Sequence, residues 1–341
     1  MVLAEVLRHR TSGDAAPDLV AIKCYSRSYL ADERKQKRVK REIRNLRLLD
    51  HPHIIGFRDV LLSESHLCLV LNYASGGALF DVLCSKEKLD EKLARWFFQQ
   101  LILAVDYAHA RGITNRDVKP ENILLQPLTE GRPPFLLLCD FGLSRFEESG
   151  LISRMEGTFG YVAPEQYLGQ VRNVEQAKRS EVYSCGVCLF QMLFGLTRWP
   201  AGPSVDASKR PGQDFYKTIG TWLNSEVKKI ELPQTRELSD GCVAFLNKLL
   251  QPNPKNRITM REIWDDPWFK EDLPPNAENL NAELLSREED REATTGTPRD
   301  TDIDVLIQSG AKKKGTKLER MCVLLLRYCL FSFHDVTSQA F

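Results

Sequence analysis

The chain has 341 residues, 43% of them hydrophobic, so it is long enough to bury a sizeable core. Its 47 basic residues nearly balance 46 acidic ones, and the net charge of +1 argues against nucleic acid or a membrane surface as a partner bound through bulk charge. Nine scattered cysteines and the absence of an apolar amino-terminal segment favour a reducing compartment, the cytoplasm or the nucleus.

The first predicted elements are a strand and turn over residues 1–13 and a β-branched run, 20–22, that ends in Lys23. A lysine that points into a cleft needs an anion, and Glu42 is the candidate because it lies in a charged helical stretch, 32–49. The alternative for Glu42 is a solvated surface position. Apolar residues recur at three-residue spacing in this stretch and predict one buried edge: Ile43, Leu46 and Leu49.

The next elements alternate between strands and helices. An apolar run, 67–71, predicts a strand, and the Gly76-Gly77 turn separates it from a helical region. The segment 93–110 is a long amphipathic helix with aromatic residues at core spacing. Further along, Cys185 and Cys188 form a Cys-x-x-Cys pair inside an apolar helical run; no second pair or nearby histidine completes a zinc site, so packing is expected.

The stretch from Ile113 to Gly142 carries the residues with the clearest chemistry. Two strand-length apolar runs, 123–125 and 135–139, flank a Pro- and Gly-bearing insert and predict a hairpin. In an antiparallel hairpin the residue before the first strand lies beside the residue after the second. Asn122 and Asp140 should therefore meet at one end.

Asn122 and Asp140 would offer two hard oxygen ligands, which Mg²⁺ prefers together with waters and phosphate oxygens. Asp117 lies one loop earlier, where its carboxylate can accept a proton from an incoming hydroxyl, and Lys119 would face the same side. The alternative is an ordinary hairpin with solvated acids. We expect three of these side chains, Asp117, Asn122 and Asp140, to share one cleft that faces Lys23.

The segments NRDVKPEN and DFG in this stretch resemble the catalytic loop and the metal-binding motif of eukaryotic protein kinases. The resemblance implies that Asp117 positions and deprotonates the acceptor, that Lys119 neutralises the transferring phosphoryl group, and that Asn122 and Asp140 hold Mg²⁺. The Asp-x-Lys order is that of serine/threonine kinases rather than tyrosine kinases.

The same resemblance assigns the ATP-binding residues. VAIK at 20–23 is similar to the small-lobe strand of kinases, which implies that Lys23 reaches the α and β phosphates, that Glu42 pairs with it, and that Ala21 lies over the adenine. The hinge would run from Asn72 to Ala74 and offer backbone groups to the adenine.

Downstream, Gly157-Thr158 and the YVAPE segment resemble the end of a kinase activation segment. Thr158 would bond to Asp117 and Lys119 and so help to select serine or threonine acceptors. Arg116 implies regulation by phosphorylation, with an upstream kinase or phosphatase, and Ser149 and Ser153 are the candidate sites. For both serines the alternative is plain loop polarity. The resemblance also pairs a glutamate with an arginine: Glu165 and Arg257.

Three departures from the family stand out. The Gly-x-Gly-x-x-Gly loop that kinases carry roughly twenty residues before the strand lysine is missing, since the only glycine upstream is Gly13. Either the sequence is truncated relative to the family or the phosphate lid has been lost. The histidine expected before Arg116 is Asn115, which should support Phe141 of the DFG motif less well. The aspartate expected in a later helix is Glu181, and the two changes are expected to compensate.

Across residues 19–273 the chain is most similar to the plant and algal stress-activated kinases related to the sucrose-nonfermenting kinase, second subclass. The resemblance implies an α+β, bilobal kinase domain over 1–273, with a small β-rich lobe over 1–73 that lacks its first strand and a mainly helical lobe over 74–273. A charged tail, 274–341, is expected to be disordered. Its apolar run, 321–333, is too short to span a membrane, so membrane attachment is not expected.

The expected function is therefore ATP- and Mg²⁺-dependent phosphorylation of protein serine or threonine, in stress signalling. Two alternatives remain open: a catalytically weak pseudokinase scaffold, and a fragment of a kinase gene model.

Overall fold

The computed structural model describes residues 2–6, 18–63, 65–128, 131–146, 157–196, 233, 238–295, 303–305 and 307–308. The chain forms two compact units. The small unit comprises the described residues of Met1–Asp50, Ile55–Ala74 and Thr295–Phe341, and the large unit comprises those of His51–Ile54 and Ser75–Thr294. The predicted α+β fold, with one β-rich lobe and one mainly helical lobe, is confirmed.

The small unit is built on an antiparallel sheet in the order β1-β2-β4-β3, with β1 at one edge in the described residues. Since side chains alternate along a strand, Lys23 and Tyr25 lie on one face of β2, and Ile22 and Cys24 lie on the other. The predicted turn that ends at Gly13 lies outside the described residues. The strands are β1 Val2–Val6, β2 Asp18–Ser26, β3 Phe57–Leu62 and β4 His66–Asn72.

Two helices, α1 Arg27–Leu30 and α2 Glu33–Arg47, follow β2. Asp32 caps the N-terminus of α2, because its carboxylate accepts the N–H groups of the second and third helical residues at 2.8 and 3.1 Å. All three residues of the predicted apolar edge are buried: Ile43 and Leu46 lie in α2, and Leu49 follows its end.

The large unit is mainly helical, and its centre is α6, in which every residue from Ser180 to Phe194 is buried. Cys185 and Cys188 pack inside this helix as predicted, and burial raises the pKa of both thiols well above the ordinary value. The elements are α3 Leu79–Lys86, α4 Glu91–Ala110, β5 Ile113–Thr114, β6 Ile123–Gln126, β7 Phe135–Leu138, β8 Arg145–Phe146, α5 Pro164–Tyr167, α6 Val174–Phe194, α7 Asp240–Leu249, α8 Met260–Asp265, α9 Pro267–Lys270 and α10 Ala277–Thr295.

The predicted hairpin is confirmed by the pairing of β6 with β7, which runs from Ile123 opposite Leu138 to Gln126 opposite Phe135. At its open end the N–H of Cys139 donates to the carbonyl of Asn122 at 2.9 Å. Asp140 directly follows Cys139 and therefore lies close to Asn122. The hairpin brings both predicted metal ligands to the same end of the two strands.

The prediction of disorder beyond residue 274 is wrong for α10, in which Ala277 and Asn281 are buried and Asn281 makes polar contacts. The buried amide of Asn281 donates to the carbonyl of Leu103 and to the carboxylate of Asp106, both at 3.1 Å, and accepts from Nε2 of His51 at 3.1 Å. Because these bonds involve so few residues, a hydrophobicity pattern does not reveal them.

A second part of the tail is also ordered, since Ile303 and Ile307 are buried and Asp304 pairs with Lys40 of α2 at 2.6 Å. The rest of the predicted tail, including the apolar run 321–333, lies outside the described residues. In the part of the chain that is described, no helix combines the length and apolarity needed to cross a bilayer.

His51 and His53 give the large unit a pH-dependent stability. The backbone N–H of His53 donates to Nδ1 of His51 at 3.0 Å, so Nε2 of His51 carries the proton that it donates to Asn281. Desolvation by burial lowers the pKa of His51 to about 3 and that of His53 to about 4. Both rings are therefore neutral in the folded protein.

We predict that acid destabilises the protein through these two rings. The unfolded chain takes up protons below pH ~6.5, whereas the folded rings do not until the pH approaches their lowered pKa, so stability falls as the pH drops from 6.5. At pH 5 the loss should be about 2 kcal/mol for each ring. Urea unfolding at pH 7.5 and pH 5 measures it. The double variant His51→Gln/His53→Gln should lose most of this pH dependence, and His66→Gln should keep it; a wild-type slope in the double variant would contradict the assignment.

Candidate active site

The catalytic loop is fixed by a buried carboxylate. Arg116 has a φ of 68°, in the left-handed region that is unfavourable for a non-glycine residue. Its backbone N–H donates to Oε1 of Glu181 at 2.6 Å, and Oε2 of Glu181 contacts Nε2 of His109 at 2.6 Å. Glu181 thus does what the family's aspartate was expected to do, from helix α6. Its longer side chain still reaches the loop backbone.

Asn115 binds two backbone groups of the site. Its Nδ2 donates to the carbonyl of Asp140 at 3.1 Å, and its Oδ1 accepts the N–H of Asp117 at 3.0 Å. Asp140 also has a left-handed φ, 56°, and Phe141 after it is fully buried. The asparagine therefore ties the metal-binding motif to the catalytic loop by hydrogen bonds. That Asn115 and Glu181 compensate for each other stays a prediction.

Asp117, Lys119 and Thr158 form one cluster, as predicted. The hydroxyl of Thr158 donates to Oδ1 of Asp117 at 2.6 Å and accepts from Nζ of Lys119 at 2.6 Å, while Lys119 Nζ lies 2.9 Å from Oδ2 of Asp117. Asn122 adds a bond from Nδ2 to the same Oδ2 at 3.0 Å. A carboxylate has about four acceptor sites. Three donors from the described residues leave Asp117 one site for a hydroxyl.

The threonine approaches the loop closely because a glycine precedes it. Gly157 has a φ of 124°, and a Cβ built on it would lie 2.9 Å from the carbonyl oxygen of Arg116. Only glycine combines this backbone angle with this clearance.

The predicted ion pair of Glu165 with Arg257 is formed, with both side chains buried and two bonds of 2.7 and 2.9 Å.

The donor set around Asn122 and Asp140 fits Mg²⁺. The Nδ2 of Asn122 donates to the carbonyl and to the carboxylate of Asp117, so its Oδ1 points the other way and can bind a cation. Asp140 contributes a carboxylate whose Oδ1 accepts the N–H of Gly142 at 3.0 Å. An amide oxygen beside a carboxylate suits a hard ion that also keeps waters and phosphate oxygens.

In the small unit, Lys23 and Glu42 form the predicted ion pair at 2.6 Å. The glutamate is 2% exposed, so its charge needs more than one partner. The second partner is Tyr25, whose hydroxyl donates to Oε2 of Glu42 at 2.5 Å. Tyr25 was missed in the sequence, although its position two residues after Lys23 places it on the same face of β2.

The predicted adenine-binding residues lie on β2 and at the end of β4. Ala21 and Ala74 are buried, and Asn72 is exposed. The N–H of Asn72 donates to the carbonyl of Gly56 at 2.9 Å, so this N–H is already used within the protein. The binding roles of these residues stay predictions.

The predicted regulatory residues are only partly described. Arg116 is buried, and its role in reading a phosphate stays a prediction. Ser149 and Ser153 lie outside the described residues. Thr158 is described, and its contacts place it with Asp117 and Lys119 rather than at a free surface.

A β-rich unit with a lysine paired to a buried glutamate, and a helical unit with a carboxylate, a lysine and two candidate metal ligands, define an ATP-dependent phosphotransferase. The protein kinase domain pattern matches residues 5–269, and the chain belongs to the protein kinase family.

Relatives support the same assignment. Serine/threonine-protein kinase SRK2G of Arabidopsis thaliana is 40% identical over 276 residues, which are 80% of this chain and 70% of that protein. SAPK6 of Oryza sativa subsp. japonica is also 40% identical, over 80% of this chain and 68% of its own. SRK2E of Arabidopsis thaliana is 35% identical over 92% of this chain and 80% of its own. The predicted resemblance to this group of kinases is confirmed.

We predict that Tyr25→Phe weakens nucleotide binding. Removing the hydroxyl takes one of two partners from a buried carboxylate, and a hydrogen bond to a charged group contributes about 1.5–3 kcal/mol. Glu42 then holds Lys23 less firmly, so the KM for ATP should rise about three- to thirteenfold if half of this energy is lost from binding. Steady-state kinetics at varied ATP measure it. Tyr29→Phe, which removes a hydroxyl from a ring 5.7 Å from that of Tyr25, is the control and should leave KM unchanged.

We also predict that Asn115→Leu lowers kcat, because it leaves the carbonyl of Asp140 and the N–H of Asp117 without their side-chain partner. A lost buried hydrogen bond of about 1–3 kcal/mol corresponds to roughly a five- to 150-fold effect. Asn115→His retains a ring donor and should keep more activity than Asn115→Leu. Equal kcat values for the two variants, both folded by circular dichroism, would show that these bonds do not matter.

Proposed function

We propose that this chain transfers the γ-phosphate of ATP to serine or threonine hydroxyls of proteins. The observation that carries the proposal is the cluster of Asp117, Lys119 and Thr158, with Asn122 bonded to the same carboxylate. It provides a base, a cation and a metal ligand within one hydrogen-bonded network. Kinases of this family use ATP as substrate and Mg²⁺ as cofactor.

Each residue of the cluster has one task. The free acceptor site of Asp117 takes the hydrogen bond, and then the proton, of the substrate hydroxyl. Lys119 places a positive charge beside that carboxylate, where negative charge develops on the transferring phosphoryl group. Thr158 fixes the two side chains relative to each other, because its hydroxyl donates to Asp117 and accepts from Lys119.

Asn122 and Asp140 would hold Mg²⁺, which neutralises phosphate charge when bound. In the small unit, the ammonium of Lys23 would bind phosphate oxygens, and Glu42 and Tyr25 keep it extended along the face of β2. Phosphate transfer needs little covalent chemistry from the protein, so the positions of these charges supply most of the catalysis.

A scaffold without turnover is the weaker alternative. Its support was the missing Gly-rich loop together with the replacements at 115 and 181. Both replacement side chains make hydrogen bonds to the backbone that the catalytic residues depend on. A scaffold has no need to keep the base, the lysine and the metal ligands in contact.

Partners and location follow from the proposed activity. Protein substrates with serine or threonine acceptors are the expected partners. We also propose that an upstream kinase or phosphatase regulates the chain through Arg116, and that the chain acts in stress signalling. The cysteines among the described residues form no disulfide, which supports a reducing compartment, the cytoplasm or the nucleus. Neither nucleic acid nor a membrane is part of the proposal.

We expect Asp117→Asn to lower kcat by about 10²–10⁴, the usual contribution of a general base. Phosphate transfer from labelled ATP to a basic serine peptide measures it. Glu121→Gln removes an exposed carboxylate from the same loop and should leave the rate unchanged. Both variants should still be stabilised against heat by Mg²⁺ and ATP, because a ligand that binds the folded state raises its melting temperature. Equal rates for Asp117→Asn and wild type would overturn the proposal.

A further inference from the structure

Two cysteines face each other across neighbouring strands of the small unit. Cys24 of β2 is paired in register with Cys68 of β4, and their sulfur atoms are 3.7 Å apart. Directly paired residues in antiparallel strands have Cα atoms about 4.5–5.5 Å apart, which lies within the range of about 4.4–6.8 Å found in disulfides. The sulfurs need only close from 3.7 Å to about 2.0 Å, which side-chain rotation can do.

The two thiols differ in access and acidity. Cys68 is 2% exposed, whereas Cys24 is half-buried. The hydrogen bond from the Cys68 thiol lowers the pKa of Cys24 to about 7, while desolvation opposes this shift. A half-buried thiol that is partly ionised at neutral pH, with a second thiol in contact, is the usual arrangement of a reactive and a resolving cysteine.

We propose that Cys24 and Cys68 form a redox-active dithiol that hydrogen peroxide converts into a cross-strand disulfide. The Cys24 thiolate attacks one peroxide oxygen, the O–O bond breaks, and the leaving hydroxide takes a proton to become water. Cys68 sulfur then attacks the sulfenic sulfur of Cys24; the S–O bond breaks, and the proton of Cys68 leaves with the oxygen as a second water. Two thiols lose two electrons, and the peroxide gains them.

The disulfide would tie the strand that carries Lys23 to the strand that leads to Asn72, the start of the predicted hinge. A dithiol reductant returns both thiols by exchange, so the change is reversible. Such a bond is compatible with a reducing compartment, where disulfides are mostly transient and redox-sensing. This inference does not depend on the phosphotransfer activity.

The test uses the full reduced chain, treated with hydrogen peroxide, alkylated and mapped by mass spectrometry under non-reducing conditions. We expect a peptide that links Cys24 to Cys68, lost on treatment with dithiothreitol, in wild type and in the control Cys84→Ser. Cys84 is the exposed cysteine among the described ones. At pH 7 the lowered pKa should make Cys24 about threefold faster toward peroxide than an ordinary thiol, since greater ionisation outweighs reduced nucleophilicity.

Two substitutions separate the contributions of Cys68. Cys68→Ser keeps a hydrogen-bond donor but cannot form the disulfide, and Cys68→Ala loses both. Neither should give the linked peptide, and the pH midpoint of Cys24 alkylation should stay near 7 in Cys68→Ser and rise by about one pH unit or more in Cys68→Ala. Accumulation of sulfenic or sulfinic acid on wild-type Cys24 without the linked peptide would overturn the proposal, as would preferential linkage of Cys24 to another cysteine.

Discussion

The arrangement of the catalytic residues depends on one buried carboxylate. Glu181 projects from the central helix α6 and accepts the backbone N–H of Arg116, where the chain takes a left-handed conformation. A backbone of this kind costs about 1–3 kcal/mol and persists only when its surroundings hold it. By holding Arg116, Glu181 also fixes the residues on either side of it, Asn115 and Asp117.

Asn115 extends this constraint to the metal-binding motif. It joins the N–H of Asp117 to the carbonyl of Asp140, so the left-handed conformations at residues 116 and 140 are coupled through one amide side chain. A buried polar network of this type is stable because every member finds a partner. The family's usual residue types are therefore not required at positions 115 and 181, provided that the same backbone groups are bound.

Local motifs in the sequence were sufficient for much of the site. The alternation of apolar runs predicted the β6–β7 hairpin, and with it the proximity of Asn122 and Asp140; spacing alone predicted the buried edge of α2. The contacts of Asn115 and Tyr25 depend on backbone conformation and on a hydroxyl that reaches a carboxylate 17 positions away, and neither leaves a periodic pattern. The cysteines illustrate the same limit, because the obvious Cys-x-x-Cys pair is inert packing, while Cys24 and Cys68 meet only through strand register 44 residues apart.

Helix α10 changes where the folded domain of this kinase ends. The family pattern stops at residue 269, yet Asn281 completes the hydrogen bonds of His51, Leu103 and Asp106 from beyond that limit. A shortened protein that ended at 273 would expose these groups to water or leave them unpaired in the interior. A piece of this chain that keeps these interior groups paired must therefore extend at least to Asn281, which lies beyond the end of the family pattern.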